Sequence, residues 1–207
     1  MNNFANTLLA ALRQMDAEAN TTFKNSPTGL NFYGGYFRPT LKRPPTETSW
    51  TRRLKEILTT VGYPTKAEVH YPGSKRKCDN VVTMPDGSLL WLENKGAWKQ
   101  YWIDYGNTGI YRSYLFHPLK PGLMKKTHTV PHDLQKLATL KKPDAHRVGY
   151  LLIGFDSVNA PMQDDVCELA ALAKLDAARW MAFTTSWSDG YRPGQCIHVW
   201  LWTSEVA

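Results

Sequence analysis

Cysteine is scarce in this chain of 207 residues: Cys78, Cys167 and Cys196 form an odd set with no close spacing, which argues against a disulfide framework or a CxxC-type zinc site and points to a reducing, cytoplasmic compartment. Long apolar runs are missing too. None approaches the roughly 18 to 20 residues that a spanning helix needs, so no membrane association is expected. The opening Met-Asn-Asn-Phe-Ala-Asn lacks the basic and apolar regions of a secretion signal, and no internal repeat or low-complexity tract is found. Acid is in deficit. Eighteen Asp and Glu against 25 Lys and Arg leave a formal charge of +7. The excess lies in residues 1–147, with 22 basic and 11 acidic side chains, whereas 148–207 hold 3 and 7. An anionic partner, nucleic acid first, therefore belongs to the first two thirds.

What is present reads as one folded domain, with 43% hydrophobic and 21% charged residues. Phe4 to Ala19 has the helical spacing Leu8, Leu9, Leu12, Met15. Residues 25–46 hold too many Gly and Pro for a regular element and read as a loop or short hairpin. A second helix is expected from Thr46 or Thr48 to Val61, with Trp50, Leu54, Ile57, Leu58 and Val61 facing a core and Gly62 as its stop. Strands are expected at Lys66–Tyr71, Asp79–Met84 and Ser88–Lys95, the last two joined at Asp86-Gly87. Then follow a helix at Pro131–Leu140, a fully buried strand at Val148–Phe155, an Ala-rich helix at Asp164–Met181 and a last strand at Cys196–Thr203. This order predicts an α/β fold, a mixed central sheet flanked by helices on both faces.

The chemistry concentrates in the predicted hairpin. Asp79 heads one strand, and Glu93 and Lys95 end its partner after four apolar residues, Leu89 to Leu92. Residues i and i+2 share a strand face, and charge at the end of an interior strand is costly unless it is paired or bound to a metal. Glu93-Asn94-Lys95 is the only acidic-x-Lys tripeptide in the chain. Two convergent carboxylates suit Mg²⁺, with Mn²⁺ as a substitute, and a nearby lysine can orient the attacking water during phosphodiester hydrolysis. A surface ion pair is the plainer explanation of the same residues.

The helix 46–61, the strand 66–71, the Asp79 strand, the Glu93-Asn94-Lys95 strand, the helix 131–140 and the strand 148–155 together resemble the core of the PD-(D/E)xK nuclease superfamily, which includes restriction endonucleases, junction resolvases and repair nucleases. The resemblance covers residues 46–155. It implies a restriction-endonuclease-like αβββαβ core, with Asp79 and Glu93 as Mg²⁺ ligands and Lys95 as the water-positioning lysine. Cys78 stands where the family often has proline. Many members carry a further acid on the helix before the sheet: Glu47, which lies three, seven and eleven residues before Trp50, Leu54 and Leu58, is favoured over Glu56, with Glu68 a third candidate. Residues 1–45 are expected to be a helix and arm within the same domain, and residues 46–207 the nuclease core with an insertion at about 98–130.

That insertion interleaves aromatic and basic residues, from Trp98, Tyr101, Trp102 and Tyr105 to Tyr111 and Tyr114, a composition that suits base stacking and phosphate neutralisation. Core packing explains Trp98 and Trp102 equally well. Phosphate contacts are expected from Arg38, Lys42, Arg43, Lys75, Arg76, Lys99, Arg112, Lys125 and Lys126, and His132 near a helix start is a further candidate. The histidines have no metal-ligand spacing, and Cys167 and Cys196 read as core fillers. The leading expectation is a Mg²⁺-dependent endonuclease acting on double-stranded DNA, as a homodimer that cuts both strands. A structure-specific or repair nuclease, a nuclease subunit that needs partners, and a non-catalytic nucleic-acid-binding module are the alternatives.

Overall fold

The computed structural model describes residues 2–24, 47–99, 103, 106, 111, 115, 129–175, 177, 179–188 and 195–206. Its elements run α1 (Asn2–Lys24), α2 (Glu47–Thr60), β1 (Thr65–His70), β2 (Lys77–Thr83), β3 (Leu89–Trp98), α3 (Val130–Leu137), β4 (Arg147–Ser157), α4 (Gln163–Leu172), β5 (Met181–Ser188) and β6 (Gln195–Glu205). Six strands form one sheet in the order β1-β2-β3-β4-β6-β5. Only β3 and β4 pair in parallel; every other neighbouring pair is antiparallel. A parallel pair needs a crossover, and α3 lies on it. The fold is thus α/β with a mixed sheet, and among the described residues no helix is long and apolar enough to cross a membrane.

Strand β4 shows why the sheet is buried on both sides. Leu151, Ile153 and Phe155 join a core with Leu8, Leu12, Trp50, Leu54 and Leu58 of α1 and α2. The alternate residues Val148, Tyr150 and Leu152 join a second core with Leu137 of α3 and Val166 and Leu169 of α4. A strand covered on both faces reads as an unbroken apolar run. The β2–β3 hairpin closes through Pro85-Asp86-Gly87, with Gly87 at φ 78°, the Gly87 N–H donating to Met84 O at 2.8 Å and the Met84 N–H to Ser88 O at 2.8 Å. Asp86 Oδ1 accepts the Ser88 N–H at 3.0 Å.

Several expected boundaries move, each for a local reason. Helix α2 ends at Thr60, where Gly62 takes φ 92° and the Tyr63 N–H returns to Leu58 O at 2.9 Å. Val61 therefore leaves the apolar stripe and is half exposed, not core-facing. The helix expected over 164–181 stops at Leu172, and Met181 begins a strand instead. Its stop is Lys174 at φ 56°, with the Leu175 N–H donating to Ala170 O at 2.8 Å, a Schellman-type end in which lysine occupies the usual glycine position. Strand β3 runs on to Trp98, three residues past Lys95. Cys167 is exposed, not a core filler; Cys78 is buried and Cys196 partly so. The expected loop at 25–46 lies outside the described residues.

Candidate active site

The sheet forks at the hairpin. Strand β2 pairs with β3 from Thr83↔Leu89 to Asn80↔Leu92 and no further, while β3 continues beside β4 from Leu90↔Arg147 to Trp98↔Phe155. Asp79 and Glu93 stand at the first unpaired step. There the Asn94 N–H, with no ladder partner on β2, donates to Asp79 Oδ2 at 2.8 Å. Cys78 stays in the fork, its buried Sγ 3.4 Å from Leu92 O.

One helix is anchored to each side of the fork. On the α2 side, Asn94 Nδ2 donates to Asn80 Oδ1 at 2.7 Å, and both asparagines reach Thr51, Asn80 Nδ2 to its carbonyl at 3.4 Å and Asn94 Nδ2 to its hydroxyl at 3.5 Å. Residues four apart share a helix face, so anchoring Thr51 carries Glu47 to the end of β3. There Glu47 Oε2 lies 3.3 Å from Lys95 Nζ, and Glu47 Oε1 accepts the Gly96 N–H at 3.2 Å. On the opposite face, α3 presents Asp133 and Lys136. Asp133 Oδ2 lies 3.2 Å from Lys95 Nζ and Asp133 Oδ1 2.8 Å from Lys136 Nζ, whose ammonium also lies 2.8 Å from Glu93 Oε1. The Tyr71 hydroxyl donates to the same Glu93 oxygen at 2.6 Å.

The electrostatics follow from this crowding. Burial, and then the charge of Glu93, push Asp79 well above the usual carboxylate range, with the Asn94 N–H pulling the other way. Glu93 is raised by burial and by Asp133, against the opposing pull of Lys136 and Tyr71. Burial alone would pull Lys95 down, but Glu47 and Asp133 more than offset it and keep the ammonium charged. Lys136 follows the same balance, between burial on one side and Asp133 and Glu93 on the other. The Tyr71 hydroxyl and the Cys78 thiol are both raised, chiefly by burial, so Tyr71 remains a donor and Cys78 a neutral thiol.

Glu47, Asp79, Glu93 and Asp133 gather around only two ammonium groups, Lys95 and Lys136, so carboxyl groups outnumber cations by two. Asp79 commits Oδ2 to a protein donor and Glu93 commits Oε1, leaving one oxygen on each. That donor set, oxygen only and crowded enough with carboxyl groups to raise Asp79 and Glu93, fits a magnesium-like cation that keeps most of its ligands as water and substrate oxygens. Among the described residues no group of three His, Cys, Asp or Glu side chains is drawn together as a ready-made metal cage.

Of the three acids considered for the helix position, only Glu47 comes to Lys95. Glu56 pairs with Arg53 at 2.8 Å, and Glu68, at φ 55°, pairs with Lys77 at 3.5 Å. The expected phosphate contacts fare unevenly. Lys75 and Arg76 are exposed in the β1–β2 turn. Lys99 is not a free phosphate arm: it lies 2.7 Å from Asp165 Oδ2 and donates to Pro161 O at 2.6 Å. Trp98 and Tyr111 are core residues, not stacking platforms; Trp98 stacks on Phe155, and the Tyr111 hydroxyl donates to Asp165 at 2.9 Å. His132 sits beside Asp133 and is largely buried. Arg38, Lys42, Arg43, Arg112, Lys125 and Lys126, with Tyr101, Trp102, Tyr105 and Tyr114, lie outside the described residues.

Sequence reasoning missed Asp133, Lys136 and Tyr71. Asp133 had a usable signal, because it falls on the buried stripe of α3 with Val130 and Leu137, a charge in an apolar face like that which singled out Glu93. Comparison with protein-family models, curated proteins and solved structures finds no match to this chain, so function is argued from this geometry.

Proposed function

We propose that the chain is a divalent-metal-dependent nuclease with a restriction-endonuclease-like core, hydrolysing phosphodiester bonds in nucleic acid, duplex DNA above all. The order α2-β1-β2-β3-α3-β4 with a parallel β3–β4 pair supports the core assignment. The observation that carries the function is the fork, where Asp79, Glu93, Lys95 and Glu47 converge in a cluster whose carboxyl groups outnumber its ammonium groups. Four carboxyl groups share only two ammonium groups here, a crowding that a divalent cation would relieve. A packing role gives no reason for them.

Asp79 and Glu93 would hold the ion, Mg²⁺ by preference with Mn²⁺ as a substitute. Bound there, the ion supplies positive charge against the phosphate oxygens as the phosphorus is attacked. Lys95 stays protonated, so it serves as a donor and not as a base: it orients the attacking water and answers negative charge growing on the phosphate. Glu47 and Asp133, one on each side, hold that ammonium in place. Lys75 and Arg76 supply phosphate contacts at the exposed turn. A homodimer would cut both strands of a duplex, and the cytoplasm is the proposed compartment.

The test is incubation of the purified chain with supercoiled and linear DNA in Mg²⁺, Mn²⁺ or EDTA, beside Glu93→Ala. Cutting that needs the ion and vanishes in the variant is expected. Salt-sensitive DNA binding without cutting, unchanged in Glu93→Ala, would overturn the nuclease in favour of a binding module.

A further inference from the structure

Lys136 has no task in the scheme above, yet the fold spends two acids on it. Its ammonium lies 2.8 Å from Glu93 Oε1 and 2.8 Å from Asp133 Oδ1, stands 5.8 Å from the centre of the Tyr71 ring, and its side chain is 11% exposed. Drawing a lysine into such a place costs rotamer freedom and hydration. Asp133 makes the placement specific, since its two oxygens hold Lys95 and Lys136 separately. Glu93 Oε1 is thereby filled by Tyr71 and Lys136. A divalent ion at the other oxygen of Glu93 would meet a full positive charge across one carboxylate.

We infer that Lys136 is a built-in counter-cation of Glu93, a positioning residue that steadies this carboxylate in the ion-free protein and keeps divalent-ion affinity low. The inference rests on the metal-dependent reading and adds to it a regulation of loading. An ion held weakly by the protein alone is held well once a substrate phosphate adds its oxygens. Metal and nucleic acid would then bind together, and the fork would not fill with metal in the absence of substrate.

Calorimetric titration of Mn²⁺ into the full chain tests this, with Glu93→Gln, Lys136→Met, Lys136→Arg and the exposed Lys141→Met as variants. Glu93→Gln is expected to lose the ion. Lys136→Met should bind Mn²⁺ at least about tenfold more tightly, from the removed repulsion, while melting at a lower temperature in EDTA. Lys136→Arg should restore both properties, and Lys141→Met, the same charge change elsewhere, should alter neither. A residue important only for folding would not tighten binding when lost. Should Lys136→Met not fold, Asp133→Asn carries the test: it removes a negative charge and leaves Lys136 wholly to Glu93, so Mn²⁺ affinity should fall about tenfold. Wild-type affinity in Lys136→Met, or in Asp133→Asn, overturns the inference while the metal-dependent reading stands. No Mn²⁺ binding at millimolar ion by the wild-type chain and by Lys136→Met alike overturns that reading and the inference with it.

Discussion

Gly96 follows Lys95 directly, and its missing side chain can be given a cost. A Cβ built there collides with Trp98 Cη2 and lies 2.6 and 2.7 Å from Cζ3 and Cζ2 of the same ring. Carbon atoms normally rest about 3.5–4.0 Å apart, so the indole must withdraw by roughly 1.5 Å. It has little room to do so. Trp98 is 5% exposed and stacks on Phe155 at a centroid distance of 6.2 Å. Overpacking of this kind costs about 1–3 kcal/mol, partly offset by about 0.5–1 kcal/mol because alanine restricts the unfolded chain more than glycine. Gly96→Ala should therefore destabilise by about 1–2 kcal/mol, a fall in Tm of roughly 3–6 °C for a chain of this size. Urea unfolding measures the cost, and a cycle with Trp98→Leu assigns it, since with the indole gone Gly96→Ala should be neutral or stabilising. Equal cost in both backgrounds would refute the packing account. Because the Gly96 N–H also holds Glu47, cleavage should fall further than the lost stability explains.

Tyr71→Phe removes the 2.6 Å hydrogen bond to buried Glu93 and should cost about 1.5–3 kcal/mol in chemical denaturation; a loss under about 0.5 kcal/mol would mean that the bond does not form in solution. Lys174→Gly relieves a left-handed residue at φ 56° and should stabilise by about 0.5–1 kcal/mol, read as a higher Tm with unchanged cleavage. Glu18 is gripped by two of the three Arg53 guanidinium nitrogens, at 2.9 and 2.6 Å, and these hydrogen bonds chiefly hold its carboxyl below the usual range. Its stabilisation is thus present above the unfolded-state value and disappears as pH falls through the lower folded-state one. Glu18→Gln should cost about 0.5–1 kcal/mol near neutral pH, with the gap from wild type closing in strong acid; a gap that persists there would contradict the ion pair.

What could be read from the chain divides along the range of the forces involved. The Asp86-Gly87 turn and the apolar run of β4 were legible because each is local: a glycine taking φ 78° and a strand covered on both faces leave their marks within a few residues. The stop of α4 left none, because Lys174 adopts the left-handed conformation that glycine usually supplies, and helical composition continues through Ala177 to the start of β5. The site divides the same way. Glu93 and Lys95 stood out as charges ending an apolar strand, whereas Tyr71 reaches Glu93 across 22 residues and Lys136 reaches it only once α3 packs on β3. Lys99 misled for the converse reason, and Trp98 stood open between base stacking and core packing, since a basic or aromatic side chain looks alike in sequence whether it faces a ligand or a core.

The fork explains why this place in the sheet gathers so many charges. Where β2 and β3 are paired, from Thr83↔Leu89 to Asn80↔Leu92, Val82, Leu90 and Leu92 enter one apolar core and Val81 and Trp91 the other. Separation of the strands after Asn80 frees the Asn94 N–H, and a carboxylate answers it. Asp79 thus takes the place of a ladder partner at the end of the β2–β3 pairing, and its burial there raises its carboxyl. Each further charge then follows from the one before: Glu93 raises the need for Lys136, Lys136 for Asp133, and Asp133 and Glu47 together confine Lys95. The cluster is left with two more carboxyl groups than ammonium groups, and the raised Asp79 and Glu93 are the consequence that the proposed divalent cation would relieve.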